Sequence, residues 1–345
     1  MKPIPVIDTL NMPNDRWLEC RKHGPWDKSD PRWLKYTIGG SDVAKVYGIN
    51  PWQTTLEFWK EKKGIWTPPP KDNAKQLQMG HLLEPIAAYW FAELTGNEVI
   101  EDTMMYQSSE KPWALADFDR RYIRKSDGKP GILECKSTTY RNADHWADGR
   151  FPAYYETQLR FYMWVADVEI GSFVCVWGSN PETDIAIVEI ERDYDWERDM
   201  VERLQAFIDS LDGVIPPSIL NDSPENAAEG LKRLYPVSDS TIIGKELPGK
   251  FASLCGAYLE YSDKEKEIAA KKTAISVQLQ ELMGEAQTGV VDVDESSFYN
   301  ITWKSQERTG FDTDTFKKEY PDLYDKYKKT SVSRPFKISL KRKKL

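Results

Sequence analysis

The chain has 345 residues and sets 47 Lys and Arg against 55 Asp and Glu, a formal net charge of −8 that on its face argues against a nucleic-acid partner. A content of 40% hydrophobic residues with 13 Trp, 17 Tyr and 12 Phe excludes a disordered chain, and the absence of an apolar run near ~18 residues excludes a membrane-spanning helix. At about 100 to 200 residues per domain, the length suggests two domains or one large domain with an appendage.

The first residues carry prolines and acids where a leader peptide needs an apolar stretch, so a cytoplasmic protein with reduced thiols is expected. Asp15 to Lys22 reads as a short helix. The run Ile38-Gly-Gly-Ser-Asp predicts a second helix with Ser41 as its N-cap and Asp42 in its first turn. After the Pro68-Pro-Pro70 loop, Gln76 to Leu94 has helical spacing, with Leu83, Ala87, Trp90 and Leu94 on one face and Gly96 closing it.

The period then changes to two. Trp113 to Ile123 and Gly131 to Ser137 read as strands of a hairpin turned by Lys125 to Pro130. Tyr154 to Val168 is a helix, followed by a strand pair, Ile170 to Trp177 and Ile185 to Glu191. A polar stretch around Pro216-Pro217 and Asn221-Asp222 marks a boundary, giving a core over 1–222 and an extension over 223–345. In that extension Leu247 to Met283 predicts one or two long helices with charged faces, Gly289 to Trp303 strands, and Thr313 to Lys329 a last helix. The order of elements makes the fold α/β or α+β.

Charge is uneven. Lys326 to Leu345 holds nine basic residues and no acid, leaving residues 1–325 with 38 basic against 55 acidic side chains, a balance of −17. The tail is either a solvated terminus or a polyanion-binding extension. Cys20, Cys135, Cys175 and Cys255 are too dispersed for a zinc or iron–sulfur site, and no P-loop string is present.

The chemistry is concentrated in two strands. On a strand Glu134 and Lys136 project from one face, with Leu133 and Cys135 on the other. Asp117 and Asp119 likewise share a face of the preceding strand. Two or three carboxylates beside one lysine repel one another unless a cation is bound, and hard divalent ions take such oxygen ligands. That set suits phosphodiester hydrolysis, with the lysine beside the attacking water. An exposed ion pair is the alternative for Glu134 and Lys136, weakened by the apolar strand around them. Cys135 is expected in the core, and His81 on a helix surface.

Four strings occur in a known order: Gly80-His-Leu-Leu-Glu84-Pro, Ala116-Asp-Phe-Asp119-Arg, Leu133-Glu134-Cys-Lys136-Ser and Tyr155-Glu-Thr-Gln158. With Trp17-Leu-Glu-Cys-Arg21 and Ile38-Gly-Gly-Ser41-Asp upstream, the stretch from Trp17 to Glu191 resembles the YqaJ-type viral recombinases. These are relatives of bacteriophage lambda exonuclease in the PD-(D/E)XK nuclease superfamily. The resemblance implies a nuclease core with a central mixed sheet flanked by helices. It implies Mg²⁺, with Mn²⁺ as a substitute, held by Asp119, Glu134 and Glu84, with Lys136 and Gln158 completing the catalytic set. Asp117 stays open as a supporting group or alternative ligand.

By the same resemblance Ser41 and Arg21 would hold a terminal 5′-phosphate, with Arg32 competing for the arginine role and Tyr155 near the substrate. The implied activity is 5′-to-3′ exonuclease action on linear double-stranded DNA, leaving 3′ single strands for an annealing protein in phage-type recombination. A homo-oligomer is implied, since ring trimers occur among relatives, and no membrane association is. Alternatives are an endonuclease or repair nuclease of the superfamily, or a DNA-end-binding protein without activity.

Overall fold

In the computed structural model, which describes residues 2–70, 74–239, 248–295, 297–331, 335, 336 and 338, the chain divides into two units, Met1–Tyr235 and Pro236–Leu345. The first begins with β1 (Ile4–Asp8), α1 (Asn14–His23), β2 (Ile38–Gly39), α2 (Gly40–Val46), α3 (Thr55–Lys62) and α4 (Ala74–Thr95). Five strands follow: β3 (Glu98–Glu101), β4 (Met104–Gln107), β5 (Ala114–Asp117), β6 (Arg120–Ile123) and β7 (Pro130–Ser137). A kinked 3-10 stretch, Tyr140–Gly149, leads to α5 (Ala153–Ala166), β8 (Ile170–Val176), β9 (Ile185–Glu191), α6 (Tyr194–Ser210) and α7 (Pro224–Leu234).

The central sheet is mixed and five-stranded, in the order β3-β6-β7-β8-β9. All its pairs are antiparallel except β7 with β8, which α5 joins as a crossover. A smaller sheet, β1-β4-β5-β2, lies beside it in the same unit. Side-chain alternation along β7 sorts the two layers. Ile132 joins Leu159, Phe161 and Met163 of α5 on one face, while Leu133 and Cys135 join Ala87, Ala88 and Phe91 of α4 on the other. Glu134 and Lys136 therefore face α5.

Several expectations change. The strand expected from Trp113 to Ile123 is two strands in different sheets, broken at Phe118-Asp119, so Asp117 and Asp119 do not share a face. Helix α2 starts at Gly40 with Gly39 as N-cap, because the Asp42 carboxylate accepts the Gly39 N–H at 3.1 Å; Ser41 is not the cap. On α4 the inward line is Leu83, Ala87, Ala88 and Phe91, and Leu94 is exposed.

The first unit runs to Tyr235, past the polar stretch at residue 222, and α7 is bound to its core. Arg233 forks onto buried Glu57 at 2.6 and 2.9 Å, and the Asn226 amide donates to the Asn50 carbonyl at 2.7 Å. The second unit contains α8 (Pro248–Met283), the antiparallel hairpin β10 (Thr288–Asp292) and β11 (Phe298–Thr302), then α9 (Thr313–Glu319) and α10 (Pro321–Tyr327). The expected last helix is thus two, divided at Pro321, whose ring cannot continue the α9 ladder. Most of the basic tail, Lys341 to Leu345 included, lies outside the described residues. Among the described residues no helix is long and apolar enough to cross a membrane.

Candidate active site

Glu134 is fully buried at the middle of β7. Its Oε2 accepts from Lys136 Nζ at 2.6 Å and from Gln158 Nε2 at 3.0 Å, the latter reaching over from α5. Its Oε1 is equally buried and, among the described residues, has no hydrogen-bond partner. Burial, followed by the negative charge of Asp119, pushes the Glu134 carboxyl up to about 8, against the pull of Lys136. Burial works against the Lys136 charge, yet Glu134 and then Asp119 raise its pKa and keep the ammonium ionised. That ammonium lies 5.0 Å from the Tyr155 ring centroid, so Tyr155, Gln158 and Tyr162 line one face of α5 as their spacing requires.

Asp119 sits in the bend between β5 and β6. Its Oδ2 accepts the backbone N–H of Cys135 at 2.7 Å, which fixes it to β7 where the β6–β7 ladder ends. Glu84, one turn past Gly80 on α4, accepts from Arg120 Nη1 at 2.7 Å, and the same nitrogen donates to the Asp119 carbonyl. Burial and the Asp119 charge raise the Glu84 pKa. Asp117 belongs to a different neighbourhood: its Oδ2 takes the Trp17 indole N–H at 2.5 Å. Cys135 is buried with its thiol held protonated, and His81 is exposed, both as expected.

A second corner adjoins this one through α2. Arg21 Nη2 donates to Ser41 Oγ at 2.9 Å, with the guanidinium over the Trp17 ring at 4.8 Å. Arg32 instead pairs with its neighbour Asp30 and is exposed. Beneath them Asp42 is buried; against the cost of that burial, Lys45, Lys62 and Arg21 hold its carboxyl well below the usual range. Gly40 brings the two corners together. A Cβ at this position would stand 2.5 Å from the Tyr162 ring and 3.0 Å from Gln158 Cγ.

Among the described residues, no three His, Cys, Asp or Glu side chains converge as a preassembled ion cage. Glu84 is turned onto Arg120, so the expected three-carboxylate set is not assembled. The pair Asp119 and Glu134 does fit a hard divalent ion. Among the described residues nothing donates to the buried Oε1, and Mg²⁺ characteristically takes one or two carboxylates with water and phosphate oxygens completing its shell. Sequence reasoning missed Arg120 as a partner of Glu84 and Lys62 as a partner of Asp42. The charge of Arg120 at the start of a strand was a visible signal; Lys62, on a charged helix end, gave none.

Residues 16–169 match the YqaJ-like viral recombinase domain. The uncharacterized protein YqaJ of Bacillus subtilis strain 168 is 28% identical over 331 residues, 95% of this chain and 94% of that one. Among solved structures, the crystal structure of LHK-Exo with dAMP, an alkaline exonuclease from Laribacter hongkongensis, is similar at a TM-score of 0.44. The two are 20% identical, over 51% of this chain and 88% of that one. A phage-related exonuclease from Haemophilus somnus 129PT is similar at a TM-score of 0.39 and 16% identity, over 51% of this chain and 93% of that one.

Proposed function

We propose, from a chain that carries a YqaJ-like viral recombinase domain, a divalent-metal-dependent deoxyribonuclease that degrades linear double-stranded DNA from its 5′ ends. The 3′ single strands it leaves would pass to an annealing protein in recombination. The observation that carries this reading is Glu134: one buried oxygen is pinned by Lys136 and Gln158 while the other has no partner among the described residues.

Each residue then has a task set by its surroundings. Asp119 and Glu134 would hold Mg²⁺ or Mn²⁺. The ion would supply charge stabilisation on the scissile phosphate and acidity to a water. Lys136 is kept ionised beside Glu134, in place to orient the attacking water and to stabilise charge developing on the phosphate. Gln158 holds the Glu134 carboxylate in one rotamer, and Tyr155 screens the ammonium from solvent. Arg21 and Ser41 present a guanidinium and a hydroxyl to an anion, matching a terminal 5′-phosphate.

The net acidity of the chain does not oppose this. Affinity for DNA depends on where phosphates meet Lys and Arg, and a site built from carboxylates is negative until a cation binds. The test is a time course on a linear duplex with one 5′ end blocked, comparing 5′-phosphate with 5′-hydroxyl at the free end. Loss should begin only at the free 5′ end and faster with the phosphate. Loss from the blocked end, or from 3′ ends, would overturn the polarity.

A further inference from the structure

Helix α8 runs 36 residues, about 54 Å, and presents an apolar seam that the described residues of its own unit leave uncovered over most of its length. Phe251, Leu254, Tyr258, Tyr261, Glu265, Ile268, Lys272, Ile275, Leu279 and Leu282 recur at alternating steps of three and four. Those are the a and d positions of a heptad repeat. The five a positions are Phe251, Tyr258, Glu265, Lys272 and Leu279, and eight of the ten seam residues are apolar. A strict seven-residue repeat of this length specifies supercoiling around another helix rather than packing on a globular core. The eight apolar side chains are exposed, Ile268 at 66% and Leu282 at 84%. Phe336 meets the Tyr258 ring edge-on at 5.7 Å, and Tyr258 is still 44% exposed.

The two polar residues of the seam identify the partner. Among the described residues neither Glu265 nor Lys272 makes a hydrogen bond or ion pair, whereas the flanking Lys264 and Lys271 are each neutralised within the helix by Glu260 and Glu267 at 2.6 Å. In a parallel pair of identical helices, Glu265 would face Glu265 and Lys272 would face Lys272, two like-charged layers. In an antiparallel pair, a positions meet d positions. The register that uses the whole seam sets Phe251 against Leu282, Leu254 against Leu279, Tyr258 against Ile275, Tyr261 against Lys272 and Glu265 against Ile268. Glu265 and the Lys272 of the other copy then occupy neighbouring layers, within reach of each other, twice by symmetry. The small residues Cys255, Ser262, Ala269 and Ser276 flank the seam on one side and leave room for close approach.

We propose that α8 is an antiparallel homodimerisation helix, its occupant the α8 of a second copy of this chain. Full-length protein is the material for the test, read by sedimentation equilibrium and by disulfide trapping in a Cys255→Ser background. Ile268→Asp with Ile275→Asp, both exposed in the single chain, should halve the mass. Glu265→Lys should weaken association at least tenfold, and the charge-reversed pair Glu265→Lys, Lys272→Glu should restore it. Leu254→Cys with Leu279→Cys should trap a covalent dimer, while Leu254→Cys alone should not. Trapping by Leu254→Cys alone would mean a parallel pair. An unchanged mass in the double aspartate variant would mean that something other than a second α8 covers the seam. Either result overturns the proposal.

Discussion

The Arg120 guanidinium holds Glu84 at 2.7 Å and bonds to the Asp119 carbonyl with the same nitrogen, so one cation already stands among the acids proposed to meet a metal. Removing it leaves Glu84, Asp119 and Glu134 without that counter-charge. Arg120→Gln should therefore tighten Mn²⁺ binding by about tenfold, ~1.4 kcal/mol, read by electron paramagnetic resonance titration in the absence of DNA. The gain should vanish in the Glu84→Gln background. Equal affinity of wild type and Arg120→Gln would show that the arginine does not compete for Glu84.

Gly40 is required by a close approach. Gly40→Ala drives a methyl into the Tyr162 ring, which sits beside Gln158. Urea unfolding should show a loss of about 1–3 kcal/mol. Gly256→Ala, on exposed α8 with open space around it, should be neutral or gain up to about 1 kcal/mol. Equal effects of the two substitutions would contradict the packing described for α2 on α5.

The latch between α7 and α3 is testable in the same assay. Glu57 is fully buried, and Arg233 supplies its charged partner. Arg233→Met should cost about 3 kcal/mol by stranding that carboxylate, and should open residues 222–235 to limited proteolysis. Unaltered proteolysis would contradict the latch.

Burial pushes the Cys175 thiol up to about 12, and burial also raises those of Cys20 and Cys135. Since the thiolate is the reactive form, native protein at pH 8 should label with a thiol reagent at Cys255 alone, and raising the pH to 10 should not recruit Cys175. All four should react in urea. Early labelling of Cys175 would contradict its enclosure.

Much of the site was legible because it is local. Glu134 and Lys136 share a face by strand alternation alone, and Tyr155 and Gln158 fall within one string on the expected Tyr154 to Val168 helix. What was not legible depends on contacts distant in sequence. Nothing between Trp113 and Ile123 announces that the strand changes sheets at Phe118-Asp119, because the break is set by pairing with β4 on one side and β7 on the other. The pull of Arg120 on Glu84 spans 36 residues, and that of Arg233 on Glu57 spans 176. Pro321, by contrast, was a visible helix breaker inside the expected last helix.

The most direct test is release of acid-soluble nucleotides from linear and from closed circular duplex DNA with Mg²⁺, comparing wild type with Glu134→Ala and Lys136→Ala. Wild type should consume the linear form, spare the circle and stop when the metal is chelated. Each variant, folded by circular dichroism, should lose about a hundredfold or more. Full activity in the Glu134 variant, or wild-type digestion of the circle, would contradict the account.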